Sequence, residues 1–320
     1  MAHELTRNAI TGLVEHAYRA DHGTPWHGLG QPMPAGASID DWIEKAGMGW
    51  SVERSPALFQ TPAGLVQVNE KSVLHRSDNF LPLGVAGPGY IPTNPNQMLS
   101  FFQNILKEDG LEVSAAGTLQ GGRKFWATAK FGSAQVVPGD EVGGFLQISS
   151  SADGTLATTI RRTSTRTVCR NTLRMSFQDK ATLTVSHRSE LDFEKIHAFL
   201  GFNQTAWDTF LGSVRKLAET PVAMGEVEEI LVPILRTRDT MTEDEIRKSY
   251  GYRSVLDLFY GSGLGSRIDG VRGTRWGLLN SITEFVDHHS RSASDDSRLV
   301  SSQFGQGAAV KSRALELLSV

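Results

Sequence analysis

The sequence predicts an α+β protein, in which an antiparallel β-hairpin sheet packed with helices precedes a helical C-terminal region. Before residue 162, short apolar runs alternate with Gly, Pro, Asn and Asp, as in strands joined by turns. From Leu191 onward, apolar residues recur three and four positions apart, as in helices. We therefore predict two regions: a mixed α+β core over 1–190, containing the sheet and a basic helix, and a helical region over 191–320.

The elements of the first region follow in order. Ser38 begins a helix ending near Gly47, because its side-chain oxygen can satisfy free N–H groups of the first turn. Strands and turns alternate over 50–90, and 94–108 has the apolar spacing of a core-facing helix. Two hairpins are predicted next along the chain, because Gly121-Gly122 and Asp153-Gly154 supply the positive φ angles of tight turns. The hairpins pair 111–119 with 124–131, and 145–149 with 156–161.

The second region contains amphipathic segments separated by polar and glycine-rich breaks. The breaks fall at 261–265 and 290–302. The helices are predicted at 193–218, 226–235, 243–259, 276–289 and 308–318.

An acid-free segment between Gly154 and Gln178 carries five arginines. If 163–177 is a helix, each step of four residues turns it only about 40° and climbs about 6 Å, so the arginines form a ridge. Phosphates of a nucleic-acid strand recur at a similar pitch, and Arg can hold each through two hydrogen bonds. The alternative is a solvated face or pairing with distant carboxylates. The five residues are Arg161, Arg162, Arg166, Arg170 and Arg174.

The strand over 124–131 adds a possible stacking site. Alternation places Lys124, Trp126 and Lys130 on one face, so two cations flank an indole on which a base can stack. The alternative is that Trp126 belongs to the core. Together with the arginines, these three residues form the predicted nucleic-acid-binding site.

Composition excludes several other classes. The net charge of -3 gives no global attraction to nucleic acid, and no run of eighteen apolar residues predicts a membrane span. The lone cysteine, Cys169, fits a reducing compartment. Adjacent His288 and His289 point about 100° apart on a helix, so we predict no metal site, and we predict no cofactor. The only clustered candidates for catalysis are Glu284, Asp287 and His288.

Several motifs, in order along nearly the whole chain, resemble the "phage/plasmid-like protein" family, catalogued as a domain of unknown function. The resemblance implies a bacteriophage, prophage or plasmid origin and the cytoplasm of a bacterial host cell, and it supplies no catalytic residues. The motifs are TPWHGLG at 24–30, LGVAG at 83–87 with Tyr90, TVCRNTL at 167–173, WGLLNSITEFVDH at 276–288, and FGQGA at 304–308 with Lys311.

A hairpin sheet followed by a basic helix also resembles the layout of single-strand annealing proteins. That resemblance implies a ring or filament that holds single-stranded DNA without a nucleotide. The leading hypothesis is therefore a non-enzymatic, homo-oligomeric mobile-element protein that binds single-stranded DNA and anneals complementary strands in recombination. One alternative is a phage protein that binds a host protein, in counter-defence or regulation. Another is an enzyme acting on nucleotides or nucleic acid.

Overall fold

The computed structural model describes residues 6–8, 11–22, 29–108, 110–166, 168, 172–174, 182–185 and 204–319. The chain divides into two compact units whose segments alternate along the sequence. Unit 1 comprises Met1–Lys130, Leu146–Arg161 and Thr182–Phe202, and unit 2 comprises Phe131–Phe145, Arg162–Ala181 and Asn203–Val320. The predicted boundary near residue 190 lies outside the described residues.

The strands belong to two sheets. The larger sheet has the order β10-β9-β8-β7-β6-β1-β2, with β11 also paired to β9, and the smaller has the order β3-β4-β5. The strands are β1 His16–Arg19, β2 Gln31–Met33, β3 Val52–Thr61, β4 Gly64–Arg76, β5 Pro82–Ala86, β6 Val113–Leu119, β7 Lys124–Val137, β8 Asp140–Ser151, β9 Thr158–Arg166, β10 Thr172–Arg174 and β11 Thr182–Val185.

The helices lie between and after the strands. They are α1 Ile39–Lys45, α2 Pro95–Glu108, α3 Gln204–Glu219, α4 Met224–Leu235, α5 Glu243–Lys248, α6 Tyr250–Asp257, α7 Arg275–Glu284, α8 Asp295–Phe304 and α9 Gln306–Leu318. Two π-helical turns, Leu258–Ser262 and Phe285–His289, continue α6 and α7. The predicted α+β class is confirmed, with largely antiparallel sheets, in which β1 and β2 form a parallel pair, and a helical C-terminal region. No helix in the described part of the chain is long and apolar enough to cross a membrane.

Local signals in unit 1 form the predicted elements. The Ser38 hydroxyl caps α1 by accepting a hydrogen bond from the Asp41 backbone N–H. The Asp41 carboxylate in turn accepts a hydrogen bond from the Ser38 backbone N–H. Helix α2 buries Met98, Phe102 and Ile105, the apolar stripe that its spacing predicts. Gly154 adopts a φ of 75° between β8 and β9, so the second predicted hairpin turn is confirmed.

Unit 2 departs from the predicted helices at two places. The segment predicted as one helix over 243–259 is divided at Ser249, whose extended backbone ends α5 and whose hydroxyl caps α6. The predicted break over 290–302 is confined to 290–294, because Ser294 caps a helix that begins at Asp295. Serine-rich segments favour both caps and loops, and here the capping role prevails.

The Tyr90 hydroxyl fastens the segment after β5 to the end of β8. It donates to the carbonyl oxygens of Ser151 at 3.2 Å and Ala152 at 3.1 Å. Burial, followed by the negative charge of Asp153, raises the pKa of Tyr90 to about 12. A raised phenol pKa means that folding favours the neutral form. Its contribution to stability is therefore complete below pH 10 and is lost as the pH rises towards about 12.

Between pH 10 and about 12, the wild type is therefore expected to lose about 1 kcal/mol of unfolding free energy, after allowance for solvent screening. Tyr90→Phe has no hydroxyl to ionise and should not show this loss. Urea unfolding of both proteins across the range measures the difference. Parallel pH profiles of the two proteins would contradict the assignment.

Candidate functional site

The predicted arginine ridge is not formed, because its described part is extended. Thr158–Arg166 is strand β9, and Thr172–Arg174 is strand β10, which pairs with it through Thr163↔Arg174 and Thr165↔Thr172. The helix predicted over 163–177 is therefore wrong for these residues. β-Branched threonines favour a strand, and in a strand side chains alternate between faces rather than forming one four-residue ridge. Arg170 and the side chain of Arg174 lie outside the described residues.

Arg166 is part of the interior of unit 2. Its Nε donates to Asp140 Oδ1 at 2.6 Å, and its Nη1 donates to the Leu264 carbonyl at 2.9 Å. The other carboxylate oxygen of Asp140 accepts a hydrogen bond from Trp276 Nε1 at 2.8 Å. The side chains of Arg166 and Asp140 are 2% and 0% exposed. Arg166 is therefore not available to bind a phosphate at the surface.

Two more of the predicted cations are buried in unit 1. Arg161 donates from Nε to Gln147 Oε1 at 2.7 Å. Lys124 donates to Thr155 Oγ1 at 2.8 Å, and its Nζ lies 3.8 Å from Asp153. These two side chains therefore stabilise the sheet and do not form a binding surface.

In unit 2, Arg162 is half-buried, and burial lowers the pKa of its guanidinium. The alternative hypothesis, in which the basic stripe binds an acidic surface of a host protein, depends on the same cations. Two of them, Arg161 and Arg166, are buried.

Trp126 and Lys130, in contrast, lie partly exposed on one face of the sheet of unit 1. The strand registers place Gly117 opposite Trp126 and His16 opposite Gly117, and residues directly opposite each other share a face. Because Gly117 has no side chain, the His16 ring lies over it and approaches Trp126, with ring centroids 5.6 Å apart. The Tyr18 ring lies 6.0 Å from the His16 ring.

The three rings lie on two strands, His16 and Tyr18 on β1 and Trp126 on β7, with Gly117 of β6 between His16 and Trp126. His16 at the centre is 3% exposed and lies 3.3 Å from the Leu29 carbonyl through Nδ1, whereas Tyr18 and Trp126 are half-buried. Thr128 and Lys130 continue the same face of β7 at alternate positions. We call His16, Tyr18, Trp126, Thr128 and Lys130 the Trp126 face.

The charged groups that act on His22, at the Lys130 end of this face, are Arg19, Asp21, Glu112 and Lys130. Burial lowers the pKa of His22, and the positive charges of Arg19 and Lys130 act in the same direction, against the opposing effect of Asp21. Lys130 supplies the positive charge on the Trp126 face.

Comparison with known families places this chain in one of them. Residues 82–306 match the family described as a domain of unknown function, DUF932. The chain belongs to the DUF932 family. No curated protein and no solved structure was found to be similar to it. The matched region of this DUF932 protein includes Trp126 and Lys130, and His16 and Tyr18 precede it.

The cluster that suggested an enzyme is held by structural contacts in this DUF932 protein. The backbone N–H of Leu264 donates to both oxygens of the Glu284 carboxylate at 3.0 and 3.1 Å. Asp287 accepts from Lys311 Nζ at 2.6 Å, with side-chain exposures of 8% and 5%. Among the residues described, no group of three or more His, Cys, Asp or Glu side chains could hold a metal ion. Cys169 lies outside those residues.

His16 and Tyr18 were missed by the sequence analysis. The four-residue strand β1 is too short for its alternation to be distinguished from a loop. The available signal was two aromatic side chains two positions apart, in the run His16–Arg19.

Proposed function

We propose that this protein binds single-stranded DNA on the Trp126 face, as a mobile-element protein that anneals complementary strands in recombination. The observation that carries the proposal is the group of three rings, Tyr18 and His16 on β1 and Trp126 on β7, with Lys130 on the same face. Aromatic side chains on a sheet offer stacking surfaces to bases, and a nearby cation meets the phosphates. The mobile-element setting rests on the resemblance of the chain to phage and plasmid proteins.

The geometry favours a single strand over a duplex. Bases in a duplex are already paired and stacked, so their faces cannot stack on protein rings. Half-exposed Trp126 and Tyr18 are accessible to unstacked bases, and the buried His16 between them fixes their positions. Lys130 adds only one charge, so each copy binds weakly. Several copies on one strand would multiply the affinity, which is why annealing requires an oligomer.

Trp126→Ala is expected to weaken binding of a fluorescent single-stranded oligonucleotide by about 1–3 kcal/mol, or roughly 5- to 150-fold, through the loss of stacking. Trp126→Phe retains a ring and is expected to keep most of the affinity. Lys130→Gln is expected to reduce the slope of log affinity against log salt by about 0.7, the value for one phosphate contact on a single strand. Fluorescence anisotropy across a salt series measures all three variants.

Tyr260→Ala is the matched control, since it removes a 51% exposed ring from unit 2. It should bind like the wild type, and thermal unfolding confirms that each variant is folded. Equal affinities of wild type and folded Trp126→Ala would rule out the Trp126 face as the binding surface. A wild-type protein that does not bind the oligonucleotide at low salt would rule out the function itself.

A further inference from the structure

The exposed apolar side chains of unit 1 are concentrated around the smaller sheet. Among the described residues, fifteen large apolar side chains are exposed, and eight of them lie between positions 58 and 91. An exposed apolar cluster of this kind marks an interaction surface, whereas scattered single residues do not. The eight are Leu58, Phe59, Leu65, Val66, Phe80, Leu81, Val85 and Ile91.

Four of these residues form the tip of the β3–β4 hairpin, beyond a register shift between Pro56 and Leu58. Phe59 pairs with Val66 on one face, and Leu58 and Leu65 lie on the other. Both faces of the tip are therefore apolar and exposed, at 51% for Phe59 and 66% for Leu65. A two-stranded ribbon with uncovered faces is marginally stable in water, so a covering partner would stabilise it.

The tip is suited to packing through its faces rather than through its edge. Strand β3 is an edge strand of its sheet, and Pro56 within it has no N–H to offer a further strand. Edge pairing is thereby disfavoured. The partner must cover the side chains.

A second apolar surface lies at the opposite end of the same sheet, at the β4–β5 turn. Phe80 is 72% exposed there and has a φ of 59°, a left-handed conformation that is strained for a bulky residue. Strained residues of this type persist where they serve an interaction. Leu81 and Val85 extend the surface. The thirteen residues of β4 separate the two surfaces by roughly 40 Å at most.

We propose that the hairpin tip of one copy of this protein packs on the Phe80, Leu81 and Val85 surface of the next copy. One face of the tip and the turn surface together offer five side chains of about 100 Å² each, or about 500 Å² of apolar area. Because apolar atoms form about 60% of a typical interface, the total reaches about 800 Å², the size of a weak, concentration-dependent association.

The charges around the tip fit a second copy better than a charged partner. Glu53 and Glu70 are balanced by Arg54 and Lys71, and Arg76 is buried in ion pairs with Glu15 and Asp78, so the exposed surface of the hairpin has no net charge to attract a polyanion or an acidic protein. Tip and turn are different surfaces at opposite ends of one sheet, so the contact is head to tail. Repetition of such a contact gives a ring if it closes and a filament if it does not. This inference does not depend on DNA binding.

A complementation experiment without nucleic acid tests the contact. The tip variant carries Phe59→Glu with Leu65→Glu, and the turn variant carries Phe80→Asp with Val85→Glu. Asp tolerates the left-handed conformation at position 80, so this change relieves backbone strain. Each variant alone should be monomeric by sedimentation velocity, because one of the two surfaces in every contact carries introduced charges. In an equimolar mixture, the intact turn of the tip variant can bind the intact tip of the turn variant. The mixture should therefore form dimers and nothing larger, because no second intact pair of surfaces remains.

Wild-type protein should form species larger than dimers, in proportions that increase with concentration. Met224→Glu is the matched control, because Met224 is 66% exposed in unit 2, and it should associate like the wild type. Circular dichroism verifies folding; if a double variant does not fold, Phe59→Glu alone replaces the tip variant and Phe80→Asp alone replaces the turn variant. A monomeric wild type overturns the proposal and assigns the apolar surfaces to another partner. Folded variants that remain monomeric when mixed overturn the head-to-tail contact.

Discussion

Arg166→Ala is expected to lower the unfolding free energy by about 3–5 kcal/mol, because it leaves the carboxylate of Asp140 charged and buried without its partner. Asp140 is 0% exposed and receives both Arg166 Nε and Trp276 Nε1. Arg166 also holds the Leu264 carbonyl, so the loss extends to the glycine-rich segment of unit 2. Urea unfolding measures the change, and hydrogen exchange of the α7 amides locates it in unit 2.

The control is Arg162→Ala, since Arg162 is the half-buried arginine four positions earlier on β9. We expect it to cost about 1 kcal/mol or less. The comparison also decides between the two interpretations of the arginine segment. If Arg166→Ala leaves stability unchanged and weakens binding to single-stranded DNA, Arg166 is a surface cation that binds phosphate, and its buried ion pair with Asp140 is contradicted.

The sequence was sufficient wherever the deciding signal is local. Ser38 and Asp41 form a capping box within four residues of sequence. The turn at Asp153-Gly154 depends only on those two residues, because Gly154 supplies the positive φ angle. The apolar stripe of α2 needs only its own period. Alternation in β7 also placed Trp126 and Lys130 on one face, the two predicted site residues on which the DNA-binding proposal now rests.

The arginine segment could not be predicted from its own spacing. A four-residue repeat forms a ridge only if the backbone is helical, and the pairing of β9 with β10 made it a strand. The burial of Arg166 depends on Asp140, 26 positions away, and on Trp276, which lies 136 positions from Asp140. Likewise, His16 reaches Trp126 only because β1 and β7 both pair with β6. Such contacts come from sheet topology, which residue patterns did not specify.

Arg76→Ala is expected to have a comparable effect in unit 1, lowering the unfolding free energy by about 3–5 kcal/mol. Arg76 and Glu15 are each 1% exposed, with the guanidinium nitrogens 2.8 and 3.0 Å from the Glu15 carboxylate oxygens. Asp78 accepts two further hydrogen bonds, and the guanidinium carbon lies 4.4 Å from the centre of a Trp50 ring. Burial alone would lower the pKa of Arg76, but the bonds to Asp78 and Glu15 raise it.

This network positions the Trp126 face, because Glu15 immediately precedes β1 and accepts a hydrogen bond from the Thr118 hydroxyl of β6. Arg76→Ala should therefore also weaken DNA binding, although Arg76 is buried and cannot touch DNA. Arg76→Lys keeps the positive charge but not the planar guanidinium that makes two hydrogen bonds to one carboxylate. It should therefore be more stable than Arg76→Ala and less stable than the wild type. Arg54→Ala, an exposed arginine on β3, is the control and should cost about 1 kcal/mol or less.

Urea unfolding and oligonucleotide anisotropy on the same samples separate the two effects of Arg76. Below the unfolding transition, a folded Arg76→Ala protein should show reduced affinity together with faster hydrogen exchange in β1 and β6. Loss of stability with unchanged affinity would mean that the Trp126 face does not need the Glu15–Arg76 pair. Unchanged stability would contradict the buried ion pair itself, since a carboxylate that is 1% exposed cannot lose its cation without a large cost.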